Sequence, residues 1–361
     1  MMNAADRGAL WGRLQAAGLV QGELPPPAAS RSPWYVRVML GVAGWFGALF
    51  MIGFLGVGFE FVFKTTAVTF ATGAAVCAGA AVLYRANPHG DFTGQFGLAV
   101  SLAGQALMIY ALARVFERSF SAAALAIALQ QAVLFVLVPN FIHRVWTSWS
   151  GAYAAVYALS HAGLQAFAPA AVTLGFLWPW LAEFDHPRRG ELLRAAGYGL
   201  ALAAVQTAVM HGSLWAMWLT GDMSGRGSPG AEVLARLGDL ASGLVLVWAV
   251  LRLLKREGVG LGEGHGRIAL AGAVLLALIS LKAPGVGPAA AILVVGFANG
   301  NRVLAGLGVF ALLGYLSHYY YALHATLLEK SALLAGAGLV LLAARFALRR
   351  WWPGTKEVEH A

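Results

Sequence analysis

The sequence predicts an all-α fold, a polytopic bundle of about twelve transmembrane helices. Of its 361 residues, 59% are hydrophobic and only 11% are charged, whereas soluble domains carry about 25% charged residues. Apolar runs of about 20 residues, the length of a membrane-spanning helix, recur along nearly the whole chain. These runs lack the alternation of barrel strands, and a helix satisfies its own backbone hydrogen bonds, as the bilayer core requires.

The chain is predicted to have three parts. Residues 1–37 contain an amphipathic helix over 4–17 and a Pro-rich linker, both cytoplasmic. Residues 38–348 form the transmembrane domain, and 349–361 form a short basic and polar cytoplasmic tail. The predicted spans are 38–63, 65–84, 94–113, 120–138, 149–167, 169–182, 195–219, 240–254, 267–281, 286–298, 303–321 and 331–348.

Two pairs of these spans are separated only by proline breaks. The fifth and sixth spans divide at Ala168-Pro169, and the ninth and tenth divide at Pro284-Gly285. The second pair could form a tight hairpin or two half-helices that do not cross fully. The predicted number of spans is therefore ten to twelve.

The charge distribution predicts the orientation. With twelve spans and a cytoplasmic N-terminus, 18 of the 25 lysines and arginines lie inside. Merging the fifth and sixth spans would move two basic clusters outward, against the positive-inside rule. The sequence therefore predicts that both termini are cytoplasmic.

Net charge alone would suggest a different partner. The formal charge is +9, but the basic residues stand at the ends of predicted spans, where membrane orientation explains them. We therefore expect contact with the lipid bilayer and not with nucleic acid. No cofactor or metal motif is visible, and the single cysteine, Cys77, lies inside an apolar run.

Several short motifs follow one another along the chain. They are Gly18-Leu19-Val20, Ser32-Pro33-Trp34-Tyr35, Gly44-Trp45, Gly53-Phe54-Leu55-Gly56, Gln95-Phe96, Ser101-Leu102-Ala103-Gly104-Gln105, Gly296-Phe297-Ala298-Asn299-Gly300-Asn301-Arg302, Tyr319-Tyr320-Tyr321 and Thr326-Leu327-Leu328-Glu329-Lys330-Ser331. In this order they resemble the bacterial membrane-protein family known as domain of unknown function 4401. The resemblance covers nearly the whole chain.

The resemblance implies a multi-pass protein of the bacterial inner (plasma) membrane. Members of that family are similar in places to the 2157 family. The two are often neighbours in operons with a small secreted or anchored protein that carries a GDYxxLxY motif. No activity is established for the family, so no catalytic residues can be carried over.

Polar side chains at membrane depth are the first candidates for a functional site. Gln105 and Gln131 lie in the middle of predicted spans, and His161, Gln206 and His211 form a second group. The functional interpretation is a polar cavity or a proton relay, since histidine titrates near neutral pH. The structural interpretation is interhelical hydrogen bonding or interfacial histidines, and it is favoured about two to one.

A second candidate is a cluster at the predicted periplasmic end of the eleventh span. It consists of His318, Tyr319, Tyr320, Tyr321, His324, Glu329 and Lys330. An aromatic belt at the membrane interface is the favoured explanation. The two histidines have the wrong spacing for metal ligands on one helix face, so no metal site is predicted.

Three function classes follow from these observations. The first is a membrane scaffold or assembly partner of membrane proteins from the same operon, because intramembrane charge is scarce and glycine is abundant (45 residues). The second is a small-solute or proton-coupled transporter, because one predicted region is broken. An enzyme is the least favoured class, since no nucleophile–base pair, HExxH or GxSxG motif is visible.

Overall fold

The computed structural model describes residues 4–18, 20–24, 34–58, 60–87, 90–183, 185–210, 229–281, 283 and 285–322, together with isolated positions between 328 and 346. Within these ranges every regular element is helical. The α-helices are α1 Ala4–Ala16, α2 Trp34–Gly58, α3 Thr66–Ala86, α4 Asp91–Val115, α5 Phe120–Leu137, α6 Phe141–His161, α7 Ala168–Ala182, α8 Gly190–Met210, α9 Pro229–Arg256, α10 Gly264–Ser280, α11 Val286–Ala298 and α12 Arg302–Ala322.

Four described helices are long and apolar enough to cross a membrane, namely Thr66–Ala86, Thr93–Val115, Phe120–Leu137 and Glu232–Arg256. Three shorter described helices are also apolar, namely Gly264–Ser280, Val286–Ala298 and Arg302–Ser317. The prediction of an all-helical, membrane-type chain is confirmed at this level. The finer count of about twelve spans stays a prediction, and the last predicted span, 331–348, lies outside the continuous described ranges.

Local capping chemistry explains where several helices begin. The side chains of Thr65, Ser119, Asn140 and Asn301 accept hydrogen bonds from backbone N–H groups in the first turns of α3, α5, α6 and α12. These groups have no partner inside their own helix, so a capping oxygen stabilises the helix start by about 1 kcal/mol. The capped positions fall close to the predicted span starts, except for α6.

The predicted fifth span, 149–167, is wrong at both ends. Helix α6 already begins at Phe141, because the side chain of Asn140 caps it. This helix contains polar residues in its first half, which therefore does not form part of an apolar run in the sequence. It ends at His161, followed by Gly163 at φ +76° and a 3₁₀ turn at Gln165–Phe167. The four-residue spacing of His161 and Gln165 indicates that they share one helix face. In the structure they do not, because Gln165 lies in the 3₁₀ turn after α6 has ended.

The predicted breaks at the two prolines are confirmed. A new helix, α7, begins at Ala168 with Pro169 in its first turn, where proline needs no N–H partner. Helix α10 ends at Ser280 and α11 begins at Val286, on the two sides of Pro284. The seventh and eighth spans begin earlier than predicted, at Gly190 and Pro229, and the part of 195–219 from 211 onward lies outside the described residues.

Consecutive helices pack as hairpins in pairs, from α3–α4 to α11–α12. One core cluster surrounds Phe176, Leu177 and Trp180 of α7 and includes side chains of α6, α8, α9, α11 and α12. A second cluster joins α3, α4 and α5 around Cys77 and Met108. The helices that carry the candidate polar residues therefore belong to two packing groups that meet along α4, α5 and α6.

The ends of α3, α5, α7, α9 and α11 meet at one end of the bundle. Arg85 of α3 donates to the Leu137 carbonyl at 3.2 Å, and Arg256 of α9 donates to the Ala298 carbonyl at 3.3 Å. Arg144 of α6 lies 3.7 Å from a carboxylate oxygen of Glu191 in α8. We call this end of the bundle the basic end.

Candidate functional site

One polar pair connects two helices in the interior. The Nε2 atom of Gln105 in α4 lies 2.8 Å from Nε2 of His143 in α6. Gln105 is 1% exposed and His143 is fully buried. The amide N–H donates to the ring when the histidine carries its proton on Nδ1. The pair can therefore stabilise contact between α4 and α6, which the sequence interpretation did not connect.

Gln131 does not join this pair. The Cβ atom of Gln131 lies 3.1 Å from the position that a Cβ atom would occupy at Gly151, so Gln131 packs against Gly151 of α6. Gly151 lies about 12 Å further along α6 than His143, at about 1.5 Å per residue. Gln131 is completely buried, and neither of its amide atoms has a hydrogen-bond partner among the described residues.

The two glutamines should respond oppositely to the same substitution. Gln105→Leu leaves the buried ring nitrogen of His143 without its partner, which costs about 1–3 kcal/mol. Gln131→Leu removes an amide that has no partner, so we expect unchanged or higher stability. Thermal unfolding of both variants in the same detergent checks this difference. Equal losses in the two variants would contradict it.

The remaining predicted residues are dispersed. Gln206 in α8 accepts a 2.7 Å hydrogen bond from the indole N–H of Trp149 in α6. His161 is exposed at the end of α6, where its ring lies 4.5 Å from that of Tyr157. His211 lies outside the described residues. No described hydrogen bond therefore joins any two of Gln105, Gln131, His161 and Gln206.

The predicted periplasmic-end cluster falls mostly outside the described residues. Helix α12 includes the backbone of residues 318–321, and of these four side chains only Tyr320 is described, half-buried. His324, Glu329 and Lys330 lie outside the described residues. The cluster stays a prediction.

A groove with apolar walls lies between α3, α4 and α5, with a cavity volume of about 550 Å³. Ala74, Ala78 and Ala81 line one side and Met108 lies between the two sides. Gln130 of α5 is the polar side chain in its wall, and its amide nitrogen and oxygen have no partner among the described residues. A buried amide of this kind costs about 1–3 kcal/mol unless a ligand or water satisfies it. We call this cavity the α3–α5 groove.

A hydrogen-bond network at the basic end joins four helices. Asn299 accepts from Nη1 of Arg256 at 2.8 Å and donates to the Trp180 carbonyl at 3.1 Å. Asn301 donates to the Tyr198 hydroxyl at 2.8 Å and also caps α12. Both asparagines belong to the motif at 296–302. We call these five residues the asparagine network, and its role is to hold the ends of α7, α8, α9 and α11 together.

An ion pair between a buried carboxylate and an exposed guanidinium lies next to this network. The carboxylate of Glu183, which is 8% exposed, accepts a hydrogen bond from Nε of Arg194. It connects the end of α7 to the second turn of α8. The bond satisfies the buried carboxylate, while the exposure of the Arg194 side chain keeps its contribution to stability small.

Sequence reasoning missed His143 and the asparagine network. His143 falls between the predicted spans 120–138 and 149–167, although Asn140 before it is a helix-start signal that places it inside a helix. Asn299 and Asn301 carried the family resemblance, but no local pattern shows that their partners lie on α7, α8 and α9. Among the described residues no group of three or more His, Cys, Asp or Glu side chains could hold a metal ion.

The all-helical architecture and the four candidate spans define a membrane protein of the helical class. Within that class, the chain belongs to the family described as Domain of unknown function (DUF4401), whose family model matches residues 33–351. This match confirms the resemblance drawn from the motifs. No curated protein and no solved structure matches the chain.

Proposed function

We propose that this chain is a multi-pass protein of the bacterial inner membrane, with about twelve spans, that acts as a scaffold or assembly partner for other membrane proteins of its operon. One observation carries the proposal. Of the described glutamines at membrane depth, Gln105 and Gln206 bond to a neighbouring helix and Gln130 and Gln131 have no partner among the described residues, and the two described cavities have no polar residue of this set in common. A transport path needs polar groups that converge on a shared wet cavity.

The walls of the described cavities support the same proposal. The α3–α5 groove is apolar apart from Gln130. A second cavity of about 440 Å³ between α6, α8 and α12 is lined by Trp146, Trp149 and Phe310, and its Gln206 already bonds to Trp149. Apolar hollows on a helix bundle are surfaces for lipid or for other helices, as a scaffold requires.

Charge asymmetry supports an orientation with the basic end in the cytoplasm. The described lysines and arginines at the basic end are Arg85, Arg144, Arg188, Arg189, Arg194, Arg252, Lys255, Arg256, Arg267 and Arg302, and those at the opposite end are Lys64, Arg114, Arg118 and Arg236. Positively charged residues favour the cytoplasmic side. Helix α2 ends beside the start of α3, so its own start belongs to the basic end.

Cysteine accessibility tests this orientation. In a Cys77→Ala background, we expect a membrane-impermeant maleimide on intact cells to label Arg118→Cys, in the α4–α5 turn. We expect no labelling of His186→Cys, between α7 and α8, until the cells are opened. The reverse labelling pattern would place the basic end outside.

A transporter is the second candidate, and α11 is the observation that favours it. This helix has 13 residues and is buried along most of its length. It spans about 20 Å, less than the hydrocarbon core of about 30 Å. It follows the break after Ser280, and discontinuous helices form the binding sites of many transporters.

Two measurements separate these functions. If the chain is a scaffold, deleting it should reduce the amount of the complexes formed by the membrane proteins of its operon, as measured on native gels. Expression of the Gln131→Leu variant in the deletion strain should restore these complexes to the amount that the wild-type chain restores. Proteoliposomes with an entrapped pH-sensitive dye should show no proton flux above that of empty liposomes. Intact partner complexes in the deletion strain, or a protein-dependent flux, would count against the scaffold.

A further inference from the structure

One face of α9 carries two cations near the basic end and an apolar surface next to them. The residues of this face are Leu237, Leu244, Trp248, Arg252 and Lys255, and all five are exposed. With 3.6 residues per turn they fall within an arc of about 80° around the helix axis. We call these five residues the α9 stripe. It belongs to one of the four candidate membrane spans.

The opposite side of α9 packs on protein. Leu246 and Ala249 are completely buried, and Gly243 approaches α10 so closely that a Cβ atom there would lie 3.1 Å from the Cβ atom of Ala277. The α9 stripe points away from these contacts and stays exposed. A face of a membrane span that stays exposed meets lipid, so the physical setting of the stripe is defined.

The two cations of the α9 stripe lie close to each other. Lys255 follows Arg252 by three residues, a spacing that makes them neighbours on the helix surface. The guanidinium carbon of Arg252 lies 5.6 Å from the ring centroid of Trp248, and this cation–π contact orients the arginine along the stripe. Among the described residues neither cation forms an ion pair with a carboxylate.

The two carboxylates of the α9–α10 loop have other partners. Glu257 lies 3.2 Å from the guanidinium of Arg256. Glu263 accepts a 3.0 Å hydrogen bond from the backbone N–H of Gly260. The positive charge of the α9 stripe is therefore available to an anion from outside the chain.

The length of the stripe matches one leaflet of a bilayer. Leu237 and Trp248 are eleven residues apart, which corresponds to about 16 Å along the helix. Half of the hydrocarbon core is about 15 Å. Arg252 and Lys255 lie about 6 and 10 Å beyond Trp248, at the level of the lipid headgroups. Trp248 itself then lies at the interface, where tryptophan is enriched.

We propose that the α9 stripe binds one anionic glycerophospholipid, of the phosphatidylglycerol type. Its phosphate lies between Arg252 and Lys255, and an acyl chain lies along Trp248 and Leu244. A phospholipid with an amine in its headgroup fits less well, because the amine would lie beside two cations. An acidic peptide pairs with the cations but does not cover the leucines at hydrocarbon depth. The proposal does not rest on the scaffold function.

Native mass spectrometry of the full chain in detergent tests the proposal. The probes are dioleoylphosphatidylglycerol and dioleoylphosphatidylcholine, which share their acyl chains and differ in headgroup charge. We expect the first phosphatidylglycerol adduct to be at least about fivefold tighter than the first phosphatidylcholine adduct. Arg252→Gln and Lys255→Gln should each weaken the phosphatidylglycerol adduct about fivefold, the effect of one basic residue near a membrane surface.

Two matched controls separate this site from general attraction to positive charge. Arg188→Gln removes the same charge from another exposed position at the basic end and should leave the first adduct unchanged. Arg114→Gln removes an arginine that also lies over an aromatic ring, 5.9 Å from the centroid of Tyr110. That pair stands at the opposite end and is followed by Glu117 and not by a cation, so no effect is expected.

The proposal is overturned if phosphatidylcholine binds as tightly as phosphatidylglycerol, or if Arg252→Gln and Lys255→Gln both bind like wild type. An equal loss in Arg188→Gln or Arg114→Gln would overturn it as well. Soluble glycerol 3-phosphate should not displace the lipid, and displacement would show a site for phosphate alone. All four positions are exposed, so the variants should unfold at the wild-type temperature in lipid-free detergent.

Discussion

Gly73→Leu is expected to abolish the folded protein, whereas Gly79→Leu on the same helix is expected to have almost no effect. A Cβ atom at Gly73 would lie 2.6 Å from the Gly104 carbonyl oxygen and 3.0 Å from the Met108 backbone nitrogen. These are backbone atoms of α4, so no rotamer change can make room. We expect a loss of more than about 3 kcal/mol, since even modest overpacking costs about 1–3 kcal/mol.

Gly79 is the matched control because it faces away from the other helices. A Cβ there meets nothing within 4 Å, and replacing glycine by a better helix former contributes about 0.5–1 kcal/mol. The measurement is the monodisperse fraction and the thermal unfolding temperature in detergent, with Gly73→Ala as an intermediate. Comparable losses at both positions would show that α3 does not pack on α4 through Gly73.

Asn299→Leu should show the second large effect, a loss of about 2–3 kcal/mol. The substitution removes the acceptor for Nη1 of Arg256 and the donor to the Trp180 carbonyl. Hydrogen bonds to charged groups contribute about 1.5–3 kcal/mol each. We also expect the ends of α7, α9 and α11 to separate, which limited proteolysis of the loops at the basic end can detect.

Two variants serve as comparisons for Asn299→Leu. Asn299→Asp keeps an acceptor for Arg256 but loses the donor, so its stability should lie between those of the leucine variant and wild type. Asn87→Leu removes an exposed asparagine whose side chain bonds only to Thr93 among the described residues, and it should cost no more than about 0.5 kcal/mol. If Asn299→Leu unfolds at the wild-type temperature, the asparagine network does not hold these helices together.

The packing face of α3 illustrates what sequence reasoning could not predict. In the sequence, Ala71, Ala75 and Gly79 form a row of small residues at four-residue spacing, a pattern that predicts helix–helix contact. In the structure these three residues are exposed, and the buried face runs through Gly73 and Cys77 instead. The helix is apolar on all sides, so its hydrophobic periodicity does not distinguish a face that packs on protein from a face that meets lipid.

The polar residues illustrate the same difficulty for the candidate site. Gln105 is predicted from the sequence as a candidate buried polar group, but its partner His143 falls between the predicted spans 120–138 and 149–167. His161 lies inside the predicted fifth span, 149–167, whereas in the structure it is exposed at the last residue of α6. A hydrogen bond between α4 and α6 depends on how two distant helices pack, and no local spacing in the chain encodes that distance.

The sequence by itself determined that the chain is helical, that it has the composition of a membrane protein, and where most helices begin and end. Apolar run length, proline breaks and capping side chains act within a few residues, so they are readable from the chain alone. Only the tertiary structure decided which faces pack, that Gln105 meets His143, that Gln130 borders a groove, and that Asn299 joins three helices. The physical reason is that these contacts connect residues far apart in sequence, and nearly uniform apolar helices carry no local signal for their neighbours.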